Sequence, residues 1–306
     1  MADDIHQIHD KLVHRVLVNP ESATDLLRRH LPETVSQALR WNTLKQLDRS
    51  FVDEALRGTE ADFLYEVEHA SGSDSVWLYV LVEHQSAPDK WLRFRLLRYC
   101  CRIWEMNRDR KPEPSELWPI VPLVFYQGRD RWTYATEFAE LFAESVRDWP
   151  GVPRFSHELV DQSGIEPDAI EGELKVRIMQ LVMLAAYHPD RPWMELLGEL
   201  FNTLSAMPPR GGINYMQVFM LYVLRTQEPE AIERFRDALR RQAPQLGGDL
   251  MTYAELLEER GELRKQVEII ENLLELGDDW LRIEAITGVT EAQFEPLKQR
   301  LREITD

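Results

Sequence analysis

Two acidic residues stand where chemistry could be done. Asp62 opens the run Asp62-Phe63-Leu64-Tyr65, and Glu83 closes the run Val76-Trp77-Leu78-Tyr79-Val80-Leu81-Val82 just ahead of His84-Gln85. Aromatic and β-branched residues bounded by turn residues predict two strands, over 62–68 and 75–84, joined by Ala70-Ser71-Gly72-Ser73-Asp74 as a hairpin. Centring the turn between Gly72 and Ser73 sets Asp62 opposite Glu83. It also sets Phe63 opposite Val82, Tyr65 opposite Val80 and Val67 opposite Leu78, so one face of the pair is apolar throughout. Directly opposed residues have Cβ atoms about 4.5–5.5 Å apart, and like charges there are destabilising. At about 5 Å and an effective dielectric near 20, two carboxylates repel by roughly 3 kcal/mol.

Three arrangements relieve that repulsion: one acid is protonated, a basic side chain lies between the two, or a divalent cation does. Oxygen donors with no His or Cys cluster favour a hard ion, Mg²⁺ first, with Mn²⁺ or Ca²⁺ as alternatives. Gln85 shares the face of Glu83, and His84 takes the opposite one. The plain alternative is a pair of solvated strand-end acids, a surface amide and a histidine partnered within the core.

An island of positive charge follows directly. Between residues 86 and 111 stand Lys90, Arg93, Arg95, Arg98, Arg102, Arg108, Arg110 and Lys111 against only Asp89, Glu105 and Asp109. Residues 90–108 predict a helix, on which Arg95, Arg98 and Arg102 share one face. Such a face binds phosphates or pairs with the chain's own acids.

These residues need elements to hold them. Helix is expected over 6–31 with an interruption at Asn19-Pro20, and short strands over 120–126 and 155–160. A helix among strands makes the class α/β for residues 1–165. A helical extension follows over 166–248, with helices at 174–187, 193–204 and 213–224. A helical tail occupies 249–306. In the tail, Leu256, Leu263 and Ile270 fall seven apart, the spacing of a coiled-coil seam or of packing on the body. Gly277 reads as a C-cap, and Thr290 with Gln293 as a capping box. The closing helix pair has a helix-turn-helix outline, but its basic residues Lys298, Arg300 and Arg302 come late, so packing or homo-oligomerisation is the expected role.

The 306 residues carry a net charge of −17, which as a whole-chain field repels nucleic acid and makes the basic island the exception. No apolar run approaches about 18 residues, the length that crosses a membrane. The acidic N-terminus lacks the apolar stretch of a signal peptide. The two cysteines, Cys100 and Cys101, are adjacent and suggest neither a disulfide framework nor a zinc site. A soluble, cytoplasmic protein is expected.

The set Asp62-Phe63-Leu64-Tyr65, Leu81-Val82-Glu83-His84-Gln85-Ser86 and the Arg-rich helix resembles the Rpn (recombination-promoting nuclease) or YhgA-like, transposase-like family. His9-Asp10, Leu31-Pro32-Glu33, Ser50-Phe51-Val52-Asp53 and Ile120-Val121-Pro122-Leu123-Val124-Phe125-Tyr126-Gln127-Gly128 before Trp132 agree with it. The resemblance implies a PD-(D/E)XK nuclease core, a mixed sheet flanked by helices, and Mg²⁺-dependent endonucleolytic cleavage of DNA. Carried over, Asp62 and Glu83 become metal ligands with the His84 carbonyl as a third. Gln85 takes the place of the superfamily's lysine, and Asp10 is a candidate extra acid. Lys90, Arg95, Arg98 and Arg102 become contacts to DNA phosphates. Two departures stand out: Val13-His14 where the family's early motif ends in Phe-Lys, and Gln127 where it has histidine. Glutamine cannot serve as a base at neutral pH. The alternative expectation is therefore a catalytically silent, nuclease-derived DNA-binding or assembly protein; nothing in the sequence decides DNA against RNA.

Overall fold

Asn19 divides the first helical stretch in two. Its side chain accepts from the Glu21 and Ser22 amides at 3.0 and 3.2 Å, and Pro20 takes the first helical position, where its missing N–H costs nothing. The computed structural model describes residues 2–47, 61–72, 75–83, 88–109, 116–189, 193–207 and 213–305. The N-terminal helices are α1 (Ala2–Leu17), α2 (Pro20–His30) and the short α3 (Glu33–Gln37). Strands β1 (Leu39–Gln46), β2 (Ala61–His69) and β3 (Ser75–Glu83) follow, then α4 (Leu92–Arg108), β4 (Ile120–Tyr126) and β5 (Glu158–Asp161). The rest is helical: α5 (Leu174–Tyr187), α6 (Met194–Ser205), α7 (Tyr215–Thr226), α8 (Pro229–Gln242), α9 (Gly247–Glu275), α10 (Trp280–Thr287) and α11 (Glu291–Thr305).

The five strands lie in chain order in one mixed sheet. β1, β2 and β3 are antiparallel neighbours, whereas β3, β4 and β5 run parallel, with α4 as the crossover from β3 to β4. This is the mixed α/β fold expected, with a helical C-terminal part. By contacts the chain divides into two units, Met1–Ala238 and Leu239–Asp306.

In the first unit each face of the sheet has its own helical cover. Leu64, Trp77, Val124 and Tyr126 pack with Leu92, Leu96 and Ile103 of α4. On the other face the His14 ring of α1 stacks on Phe63 at 5.7 Å, and the Tyr65 hydroxyl donates to the Leu17 carbonyl at 2.9 Å. Strand alternation divides the two sets, because neighbouring residues face opposite ways. α5 is buried almost all round and packs with α1, α2, α6 and α7. This accounts for its continuous apolar sequence.

The hairpin register differs from the expected one by two residues. Asp62 pairs with Leu81, Phe63 with Val80, Tyr65 with Leu78 and Val67 with Val76. The cause lies in the turn. The Gly72 amide donates to the His69 carbonyl at 3.0 Å, and Gly72 takes φ +96°, a conformation natural to glycine. The pairing is therefore centred between Ser71 and Gly72, one residue earlier than a turn centred on Gly72-Ser73. A two-residue slip keeps every side on its own face, so positions 62 and 83 still share one.

β1 has no counterpart among the expected strands. Its register shifts between Arg40 and Lys45, where four residues span Val67 alone, so the buried Leu39 and Leu44 stand five apart and break the two-residue period. Thr43 fills the gap, its hydroxyl accepting from the Glu68 amide at 2.9 Å. Cross-strand pairs Arg40–Glu68 and Lys45–Glu66 place charge along this edge, which discourages pairing with another chain.

The second unit is a helical packing of α9, α10 and α11 around Val267, Ile270, Ile283, Val289 and Phe294. Gly277 ends α9 at φ +85°, with its amide bonded to the Leu274 carbonyl and that of Asp278 to Leu273, the paired bonds of a Schellman cap. The Thr290 amide donates to the Gln293 side chain at 3.0 Å. Ile270 is spent on this core, and the late basic residues Lys298 and Arg300 reach Glu271 and Glu259 of α9.

Candidate active site

The carboxyl ends of β3, β4 and β5 lie side by side, and β2 begins at the same end. In open α/β sheets this edge is where ligands bind. Asp62 is the second residue of β2 and Glu83 the last of β3. With Asp62 opposite Leu81, Glu83 lies two places further along the same face. Diagonal positions of this kind are about 7–8 Å apart, against about 5 Å for the direct opposition expected from the sequence. His84 and Gln85 lie outside the described residues.

Beyond Glu83 the edge continues through its register partner Tyr126 to Asp161, the partner of Tyr126 on β5. These positions belong to the face that α4 covers. Tyr126 is buried, its hydroxyl donating to the Asp130 carbonyl at 2.8 Å and its ring meeting Trp132 edge-on at 5.1 Å. Asp161 accepts from the Ser163 amide and hydroxyl at 2.9 and 2.6 Å, and from the Trp132 amide at 3.1 Å. Its oxygens hold the loop after β4 to the end of β5, so this acid builds the rim. Among the described residues no cluster of three His, Cys, Asp or Glu side chains could hold a metal.

Gln127, next after Tyr126, is 1% exposed, and among the described residues neither its amide oxygen nor its nitrogen meets a hydrogen-bond partner. An unpaired buried amide costs about 1–3 kcal/mol. In the sequence Gln127 stands out as a departure from a motif, and the further signal is a polar residue directly after a run of apolar ones. His157 behaves similarly. Burial, and then the neighbouring Arg93, push it down to about 4, so it is a neutral core group. Arg93 was counted in the basic island, but it is buried and donates to the Glu137 carbonyl at 2.9 Å.

Asp10 lies on α1, near Tyr187 of α5, whose phenol is pushed up to about 12 by burial and then by this acid. Since His14 meets Phe63 and Leu17 meets Tyr65, α1 runs the same way as β2. One turn before His14, about 6 Å along the axis, Asp10 lies toward the end of the sheet where Asp62 enters.

The four cations proposed for phosphates divide. Arg95 pairs with Asp89 at 3.5 Å, and Arg102 with Glu105 at 3.0 Å. Lys90 and Arg98 are exposed and have no carboxylate partner among the described residues. The Lys90 ammonium stands over the Trp91 ring at 5.6 Å.

The sequence matches the family model described as "Putative transposase, YhgA-like" over residues 7–210. The chain belongs to the YhgA-like transposase family. It is 28% identical over 298 residues to the recombination-promoting nuclease RpnA of Escherichia coli strain K12, covering 95% of this chain and 97% of RpnA. It is 30% identical over 261 residues to the recombination-promoting nuclease RpnC of the same strain, covering 83% of this chain and 81% of RpnC. At 27% over 301 residues it is similar to the inactive recombination-promoting nuclease-like protein RpnE, covering 94% of this chain and 96% of that relative. The relatives thus include proteins named as nucleases and one named as inactive. No solved structure matches the chain. Among the described residues, no helix is long and apolar enough to cross a membrane.

Proposed function

We propose that this chain is a Mg²⁺-dependent DNA endonuclease of the PD-(D/E)XK type that acts in recombination. The observation that carries this reading is the placement of Asp62 and Glu83 on one face of adjacent strands, at the carboxyl end of β3–β5. Similarity to RpnA and RpnC over most of the chain supports it.

An all-oxygen donor set of two carboxylates and the His84 carbonyl suits a hard ion, which keeps several waters and shares substrate phosphate oxygens. When bound, Mg²⁺ would lower the pKa of a water and offset charge developing on the phosphate. Asp62 and Glu83 would supply the negative charge that retains the ion at the sheet edge. Gln85 would orient the attacking water by hydrogen bonding, without taking its proton. Asp10, on the helix that covers the opposite face of the sheet, would be an extra acid at the same end rather than a third donor beside Asp62 and Glu83. Lys90 and Arg98 would meet the DNA backbone as sequence-independent contacts.

The amide at position 85 and the likeness to RpnE favour a second reading, a catalytically silent DNA-binding or assembly protein of nuclease descent. Plasmid cleavage separates the two. The full chain is expected to convert supercoiled plasmid to nicked and linear forms with Mg²⁺, but neither with EDTA nor as Asp62→Ala. Activity retained in Asp62→Ala, or absent with Mg²⁺, Mn²⁺ and Ca²⁺ alike, would overturn the enzymatic reading.

A further inference from the structure

Two large aromatic side chains stand in solvent at the start of α4. Trp91 is 57% exposed and Phe94 49%. Single exposed apolar residues are ordinary on protein surfaces. Here, however, positions 91, 94 and 98 follow i, i+3, i+7 spacing, which puts both rings and the exposed Arg98, with no carboxylate partner among the described residues, on one helical stripe. Lys90 stands beside the first ring, so two cations flank two aromatics. The stripe also begins at the end of the sheet that carries Glu83. α4 is the crossover that leaves the carboxyl end of β3, which Glu83 terminates, and leads to the parallel β4.

We infer that Trp91, Phe94 and Arg98 form a platform that stacks unpaired DNA bases beside the cleavage site. Every base presents a π-face, so aromatic stacking needs no particular sequence, while flanking cations follow the backbone phosphates. In a chain of net charge −17, a surface meant only to stay soluble has little reason to join exposed aromatics with unneutralised cations. Charge complementarity and continuity with the proposed site both select single-stranded DNA as the occupant. The inference rests on the nuclease reading and deepens it: the preferred substrate exposes unpaired nucleotides, as a flap, a junction or a melted duplex does.

The test is fluorescence anisotropy with the full chain in EDTA, using labelled oligo(dT) and a labelled duplex of equal length. Alanine substitution of stacking residues typically weakens binding on the order of 10-fold or more per base. The double variant Trp91→Ala/Phe94→Ala is therefore expected to lose at least that on oligo(dT), with duplex affinity changed less than twofold. Trp91→Phe/Phe94→Tyr should restore most of the loss. Unchanged oligo(dT) affinity in the alanine variant overturns the platform, as does an equal loss on duplex, or a wild-type chain that binds neither probe. Unchanged affinity together with a shift to smaller species in sedimentation velocity would assign the stripe to a second copy of the chain, which also overturns it. Plasmid cleavage by the same preparations keeps the two proposals apart: a chain that cuts in Mg²⁺ but binds oligo(dT) as well without its aromatics fails the platform and leaves the nuclease reading standing.

Discussion

Glu83→Gln is expected to abolish metal-dependent cleavage, lowering the rate by on the order of 10²-fold or more. Losing one preorganised group that stabilises transition-state charge has effects of that size. The substitution keeps the shape of the side chain and removes its charge, so the sheet edge should remain intact. Glu83 ends β3, where its backbone pairs in register with Tyr126 of β4. Asp62→Asn should cost about as much. The double variant should be little worse than either single one, because groups that act as a unit are not additive. Plasmid-cleavage time courses at fixed Mg²⁺ check this, with thermal melts to show that each variant is folded. A Glu83→Gln chain that cuts at more than a tenth of the wild-type rate would remove position 83 from the site.

The largest expected effect on stability lies at the entry to α5. Gly172 adopts φ +131°, and a Cβ there would meet Asp25 Oδ2 at 2.5 Å. That oxygen accepts from the Glu173 amide at 2.8 Å. The Glu173 carboxylate in turn accepts from the Ser22 hydroxyl at 3.0 Å, caps α5 through the Lys175 amide at 3.0 Å, and pairs with the buried Lys175 ammonium at 2.5 Å. Gly172→Ala thus strains the backbone and pushes on the group that joins α2 to α5. Backbone strain of this kind costs about 1–3 kcal/mol, and with the displaced carboxylate the total should reach about 2–4 kcal/mol. For a unit of this size that corresponds to a fall in Tm on the order of 5–15 °C. Gly151, with open space where its Cβ would stand, is the control and should tolerate alanine within about 0.5 kcal/mol. Equal melting of Gly172→Ala and wild type would contradict this account of the junction.

Much of the fold was legible because its elements carry their periods locally. β2, β3, β4, α4 and α5 fall where runs of apolar or amphipathic residues predict them. The paired acids were legible as a shared face but not as directly opposed partners. Alternation fixes parity alone, and Phe63 meets a valine in either register, Val82 in one and Val80 in the other. The turn made the choice, through the positive φ of Gly72. β1 was hidden because its bulge separates Leu39 from Leu44 by an odd step, and its remaining residues are those of a charged edge. The rim escaped notice for another reason. Asp161 acts through amides and a hydroxyl that only the fold brings together, and the partnerless amide of Gln127 is a property of its surroundings. Likewise the stripe of α4 arginines looked uniform in the sequence, yet local acids neutralise Arg95 and Arg102 and leave Arg98 to solvent.

We propose that Asp62 and Glu83 together hold one divalent cation. Titration of Mn²⁺ into the full chain, followed by the electron paramagnetic resonance signal of the free ion, tests it without requiring turnover. A saturable site that Mg²⁺ competes for is expected, with a loss of affinity of at least about 10-fold in both Asp62→Asn and Glu83→Gln, since removing one anionic oxygen donor weakens a hard-ion site directly. Equal Mn²⁺ binding by wild type and both variants would contradict it.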